Sequence, residues 1–212
     1  MDTLHVSRRR LAIALAGMAG FIDAVGFLSA EGYFVSFMSG NSTRLGVALG
    51  TDWRHAAVPV LLILGFVGGV TLGALVALRA AGQRKVAVLG LVTACLVVAA
   101  GARLVGQPGV MLAGLVLAMG ALNNTFLRDG EVAVGLTYMT GALVKLGQGL
   151  AQRLAGRRGS GWQGWALLWA GLLAGAVLGA VSQARAPEFC LWIAAGWAAL
   201  MTLVAIRLPA ES

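Results

Sequence analysis

One acidic residue, Asp23, stands well inside an uninterrupted apolar run, Leu11 to Ser29. Placing an ionisable side chain there costs roughly 2.5 to 3.5 kcal/mol on insertion scales, so such a group is a functional candidate by default. As a carboxylate it could carry a coupling proton or pair with Arg44. The competing reading is a cap or snorkelling group, because Ser29 is only six residues away, roughly 9 Å along a helix. Two further stretches, Tyr33 to Gly50 and Val132 to Ala151, carry glycines, hydroxyls and a cation in mid-run. Their centres read MSGNSTR and MTGAL. Gly40 and Gly141 permit unusual dihedrals and close approach, and Ser39 and Thr140 are expected N-caps of the helices that follow. Each helix would then present free N–H groups and a partial positive charge to the protein interior, the arrangement by which transporters hold anionic or dipolar groups at mid-membrane. Arg44 and Lys145 follow one turn later and could neutralise an anionic solute, pair with Asp23 or reach toward headgroups. Asn41, Asn123 and Asn124 add amides near the same level, which suit a zwitterion. The alternative for each stretch is a packing kink, since Ser-Gly pairs bend helices.

Other chemistry lacks residues. His5 and His55 are the two histidines and both lie outside the apolar runs, and no HExxH, GxSxG or P-loop pattern occurs. Cys95 and Cys190 sit in apolar stretches without ligand-like spacing. The expectation is a protein that is not an enzyme and uses no metal or cofactor.

The elements that must position these residues are membrane helices. Of 212 residues 59% are hydrophobic and 11% charged, with mean hydropathy +0.86, and no water-soluble fold of this length hides so much apolar surface. Six runs are long enough to span: Leu11 to Ser29, Ala57 to Leu78, Val86 to Ala102, Val110 to Leu127, Trp162 to Val181 and Phe189 to Ile206. The basic start SRRRLAIALAGMAG resembles a secretory signal, but the apolar run continues through Leu28, so a retained first span is expected. Trp53, Trp162, Trp165, Trp169, Trp192 and Trp197 fall mostly toward run ends, as interfacial anchors do. The formal charge of +8 sits between the runs, where it fixes orientation and does not indicate nucleic acid.

The chain also matches itself without gaps at an offset of 101 residues (119 − 18 = 101). Met18 meets Met119, Asp23 meets Asn124, and Phe37-Met38-Ser39-Gly40 meets Tyr138-Met139-Thr140-Gly141. Arg44 then meets Lys145, and Arg84 meets Arg185. The expected fold is an all-α polytopic integral membrane protein forming one membrane domain over 1–212, with a first repeat over 11–102 and a second over 110–206. Each half holds three spans and one broken or re-entrant segment. If the broken segments do not cross, eleven basic residues face inside and three outside; if both cross, the split is nine to five. The positive-inside rule favours six spans and inverted halves with cytoplasmic termini, over eight crossings with parallel halves.

Residues carry a resemblance as well. The string GFIDAVGFLSAEGYFVSFMSGNSTRLG, with Gly20, Asp23, Phe34, Phe37, Gly40 and Asn41, resembles the bacterial YoaK family of membrane proteins of unknown function. Ser39 stands where that family usually has Thr, and Ala142 replaces the Asn in the second-half echo. The resemblance implies the fold and location and lends no substrate. From the residues themselves, the expected function is a small-solute transporter or channel for an anionic or zwitterionic molecule. Its pathway would use Asp23, Ser39, Gly40, Asn41, Arg44, Asn123, Asn124, Thr140, Gly141 and Lys145. The alternative is a non-transporting scaffold or sensor. Its expected partners are the lipid bilayer and that solute; oligomers are compatible with inverted repeats but not required by them.

Overall fold

The computed structural model describes residues 6–80, 82–128, 131–132, 135–157 and 161–207. Within them lie eight α-helices: α1 (Val6–Ser29), α2 (Met38–Thr51), α3 (Ala57–Arg79), α4 (Arg84–Leu104), α5 (Pro108–Leu122), α6 (Met139–Leu154), α7 (Trp162–Arg185) and α8 (Cys190–Ile206). Short 3-10 turns precede α3 and follow α5. Five segments, containing α1, α3, α4, α5 and α7, are long and apolar enough to cross a membrane, and α8 is a shorter apolar helix of 17 residues. The chain is an all-α polytopic membrane protein. Five of the six expected spans agree with these helices to within a few residues at each end. The exception is the fourth, expected to reach Leu127, which stops at Leu122. Asn123, Asn124 and Thr125 follow, and their short polar side chains compete for backbone groups instead of continuing the helix. A hairpin of two-residue strands, β1 (Leu127–Arg128) and β2 (Glu131–Val132), then carries the chain toward α6.

The helices run in a definite order between two faces. Gln183 donates to the Ser29 hydroxyl at 3.3 Å, Cys190 Sγ to Gln183 Oε1 at 3.2 Å, and Arg103 Nη1 to Cys190 Sγ at 3.3 Å. The ends of α1, α4 and α7 and the start of α8 therefore share one face. Arg8, by contrast, lies within electrostatic reach of Lys85, so α1 and α4 both start at the opposite face. Short turns join α3 to α4 and α4 to α5, so α3 must begin, and α5 must begin, at the first face. Neither α2 nor α6 then carries the chain across: α2 leaves from and returns to the first face, α6 the second. Six crossings result, with α5 running opposite to α1.

Glycine makes the closest contacts. Gly171, Gly175 and Gly179 of α7 lie against the backbone of α1, where a Cβ on Gly175 would collide with the Gly17 carbonyl and one on Gly179 with the Phe21 carbonyl. Gly65, Gly69 and Gly73 of α3 do the same against α5, meeting Val116, Leu117 and Ala121. Small residues at every fourth position let parallel helices approach at backbone distance, the chief source of packing energy in lipid. These ladders are 106 residues apart (171 − 65 = 106), whereas α2 and α6 begin 101 apart (139 − 38 = 101). The two spacings differ by five, because α6 has 16 residues against 14 in α2 and the connection after it is longer as well. At the spacing of the ladders Arg185 falls on Arg79 (185 − 79 = 106), whereas the gap-free offset pairs it with Arg84.

Two outcomes follow. Gly175→Leu is expected to destabilise the detergent-solubilised protein by about 3 kcal/mol or more in thermal unfolding followed by circular dichroism, while Gly46→Leu, where a Cβ meets open space, stays within about 0.5 kcal/mol. Single cysteines at Thr51 and Ala155, in a background lacking Cys95 and Cys190, are expected to react with an impermeant reagent from opposite faces; labelling from the same face would return the eight-crossing arrangement.

Candidate functional site: the cavity between two half-helices

After α1 the chain reverses at once. Glu31 and Gly32 adopt positive φ, 49° and 82°, and the Gly32 amide donates to the Phe27 carbonyl at 2.9 Å. The connector then runs back alongside α1, where lipid offers its backbone no partners. Two side chains supply them. Asp23 Oδ1 accepts from the amides of Val35 and Ser36, each at 2.9 Å. Asn41, fully buried, accepts from the Phe34 amide at 3.1 Å and donates to the Phe34 carbonyl at 2.6 Å. Asp23 is therefore tied to the connector and not to Arg44; among the described residues it forms no ion pair.

The start of α2 is reached at depth, beside Asp23. Phe37 takes the N-cap position with φ −91° and ψ 77°, and Tyr138 caps α6 with nearly the same pair, −92° and 70°. Ser39 and Thr140 were expected as caps; both lie inside the first turn instead, and neither helix start has a side-chain cap. The aromatic residue occupies the cap because its ring folds over the glycine three positions on. A Cβ at Gly40 would come within 2.6 Å of the Phe37 ring, and one at Gly141 within 2.5 Å of the Tyr138 ring. Gly40 and Gly141 thus serve close approach, without the unusual dihedrals that glycine also permits.

The two helix starts face one cavity of about 540 Å³. Ser36, Phe37, Met38 and Ser39 line it from the first half, and Gly135, Thr137, Tyr138 and Thr140 from the second. Phe66, Val70 and Asn123 complete the wall. Asn123 Nδ2 donates to the Met119 carbonyl at 3.0 Å and to Thr137 Oγ1 at 3.1 Å, so its amide reaches the second connector through a side-chain hydroxyl, whereas Asn41 bonds the backbone of the first. Asn124 turns the other way and donates to the Val70 carbonyl at 3.0 Å. Among the described residues the lining contains hydroxyls, an amide and aromatic rings and no charged side chain.

Of the expected site residues, Ser39, Asn123 and Thr140 line this cavity, and Gly40, Asn41 and Gly141 shape it. Asp23 lies behind the connector, in a separate groove. Arg44 and Lys145 are not in the lining: the Arg44 guanidinium stacks 4.8 Å from the Tyr33 ring centre and the Lys145 ammonium 4.1 Å from that of Trp165. Sequence reading passed over Ser36 and Thr137, although the 101 register pairs them (137 − 36 = 101). A matched hydroxyl just before each break was the available signal.

These features define the class, a polytopic α-helical membrane protein with two re-entrant half-helices opening on a shared cavity. The family described as "Protein of unknown function (DUF1275)" matches residues 11–204, and the chain belongs to that family. It is similar to a UPF0700 transmembrane protein of Rhizobium meliloti (strain 1021), 37% identical over 211 residues, covering 96% of this chain and 91% of the relative. No solved structure matches it.

Removing one clamp tests the account of the connector. Hydrogen bonds to a carboxylate are worth about 1.5 to 3 kcal/mol, so Asp23→Ala is expected to speed amide exchange at Val35 and Ser36 by about tenfold or more, with α4 amides unchanged. Unaltered exchange at these two amides would mean that Asp23 does not hold them.

Proposed function

We propose that the protein is a small-solute transporter or channel in the bacterial inner membrane, with cytoplasmic termini, acting without enzymatic chemistry or a cofactor on an anionic or zwitterionic molecule. The observation that carries this reading is the cavity into which both uncapped helix starts open. First-turn amides and the hydroxyls of Ser39 and Thr140 would donate to an anionic or polar group. Phe37, Met38 and Tyr138 would bracket its apolar part. Because Arg44 and Lys145 stack on aromatic rings elsewhere, oriented backbone dipoles carry the selectivity in this scheme. Such dipoles attract negative charge without the deep well of a buried cation, which favours release as well as binding.

The opposite course of α1 and α5, the shared geometry of Phe37 and Tyr138 and the paired glycine ladders support an origin by duplication, with halves of opposite orientation. Transporters built this way place the solute where the halves meet and move one against the other. A scaffold held by a dry Asp23–Arg44 pair is the weaker reading, since Arg44 stacks on Tyr33 and Asp23 binds the connector.

The test uses Ser39→Cys and Thr140→Cys in a background lacking Cys95 and Cys190, with a charged, water-borne thiosulfonate reagent in proteoliposomes. Both cysteines are expected to react, and Thr140→Trp is expected to abolish protein-dependent flux of acetate or glycine while leaving thermal stability unchanged. Unreactive cysteines together with flux equal to that of empty liposomes would leave a dry cavity and transfer the case to the scaffold.

A further inference from the structure

The groove behind the first connector differs from its counterpart in one informative way. It holds about 300 Å³ and is lined by Gly20, Asp23, Ala24, Phe27, Leu28 and Phe34 on one side and by three residues of α7 on the other. Those three are Leu172, Ala176 and Ala180. Asp23 contributes the single acidic group, in walls otherwise apolar. Both connector amides land on Oδ1, the Ser36 side chain also hydrogen-bonds the carboxyl, and among the described residues no ion pair reaches it. Arg44, the nearest candidate in sequence, is committed to Tyr33.

The second half shows what fills the equivalent place. There Asn124 occupies the position of Asp23 in the 101 register, and Val70 that of Ala176 in the register of the glycine ladders (176 − 70 = 106). The Asn124 amide donates to the Val70 carbonyl and lies so close to α3 that a Cβ at Gly73 would sit 2.7 Å from its nitrogen. An N–H donor thus bridges the turn after α5 to α3, in the space beside Gly73. Asp23 as a carboxylate has no donor to offer α7 and turns to the connector, so the α1–α7 groove stays open. What would restore the bridge is an N–H donor carrying positive charge. The rim residues Phe27 and Leu28 are 36% and 53% exposed, which lets an apolar body enter from the side, and the Phe27 and Phe34 rings, 4.9 Å apart, offer faces to it.

We propose that the α1–α7 groove binds a primary ammonium with an apolar tail, Asp23 serving as counter-ion and Phe27, Phe34, Leu172 and Ala180 receiving the tail. Two sources share this chemistry, a free amine and the ethanolamine headgroup of a phospholipid. The assignment is independent of the proposed solute cavity, from which the connector separates it.

The full chain in nanodiscs of phosphatidylglycerol, titrated calorimetrically with 2-phenylethylamine against empty discs, supplies the test. Saturable binding is expected, at least about tenfold weaker in Ala176→Leu, which fills the groove but leaves the carboxylate and the connector clamp in place. Asp23→Asn should lose binding similarly, and the N-trimethyl analogue, which has no N–H, should bind at least about tenfold more weakly. Absence of saturable binding, or undiminished binding in Ala176→Leu, would overturn the proposal whether or not Asp23→Asn folds. Replacing half of the lipid by phosphatidylethanolamine separates the sources: a weakened apparent affinity assigns the site to the headgroup, and an unchanged one to a free amine.

Discussion

The rest of the structure depends on one requirement, that the backbone of a non-helical segment within the membrane find hydrogen-bond partners inside the protein. Between Ala30 and Phe37 the chain travels beside α1 without helical pairing, and the Asp23 carboxylate and the Asn41 amide take up the polar groups of Phe34, Val35 and Ser36. Only with that segment held can α2 begin at depth, and only then does a helix start open on an internal cavity. The second half is arranged differently: its first helix stops earlier, and Asn123 bonds the Thr137 side-chain hydroxyl, where Asn41 bonds the Phe34 backbone in the first.

Packing against α7 and α3 provides the rigidity these segments need. In lipid there is little hydrophobic gain in bringing apolar helices together, so contact at backbone distance must do it. The ladders Gly171-Gly175-Gly179 and Gly65-Gly69-Gly73 permit that contact for α1 with α7 and for α5 with α3. Each re-entrant helix is then attached mainly through the following span, α2 to α3 and α6 to α7, so the two half-helices can differ in detail while the frame around them stays alike.

Charge is arranged with economy. Arg44 and Lys145 have apolar stems and lie over aromatic rings, which satisfies them without a buried carboxylate. Hydroxyls, an amide and aromatic rings line the cavity between the half-helices, and Asp23 lies behind the first connector, in a separate groove. Two environments of opposite preference, one rich in donors and one holding a lone carboxyl, thereby sit on either side of a single strand of backbone.

The amino-acid sequence by itself determined the class of the protein, its long apolar runs and the two interrupted segments, because run length and composition are local properties. It also marked Ser39, Asn123 and Thr140, since polar groups in apolar surroundings are conspicuous. Only the tertiary structure decided that Asp23 binds connector amides, that Arg44 and Lys145 turn to Tyr33 and Trp165, that Phe37 and Tyr138 occupy the caps, and that the two glycine ladders stand 106 residues apart. Each of these depends on which backbone atoms lie within about 3 Å of a side chain after the chain has reversed, and hydrogen bonds of that reach are set by approach in space, not by spacing along the chain.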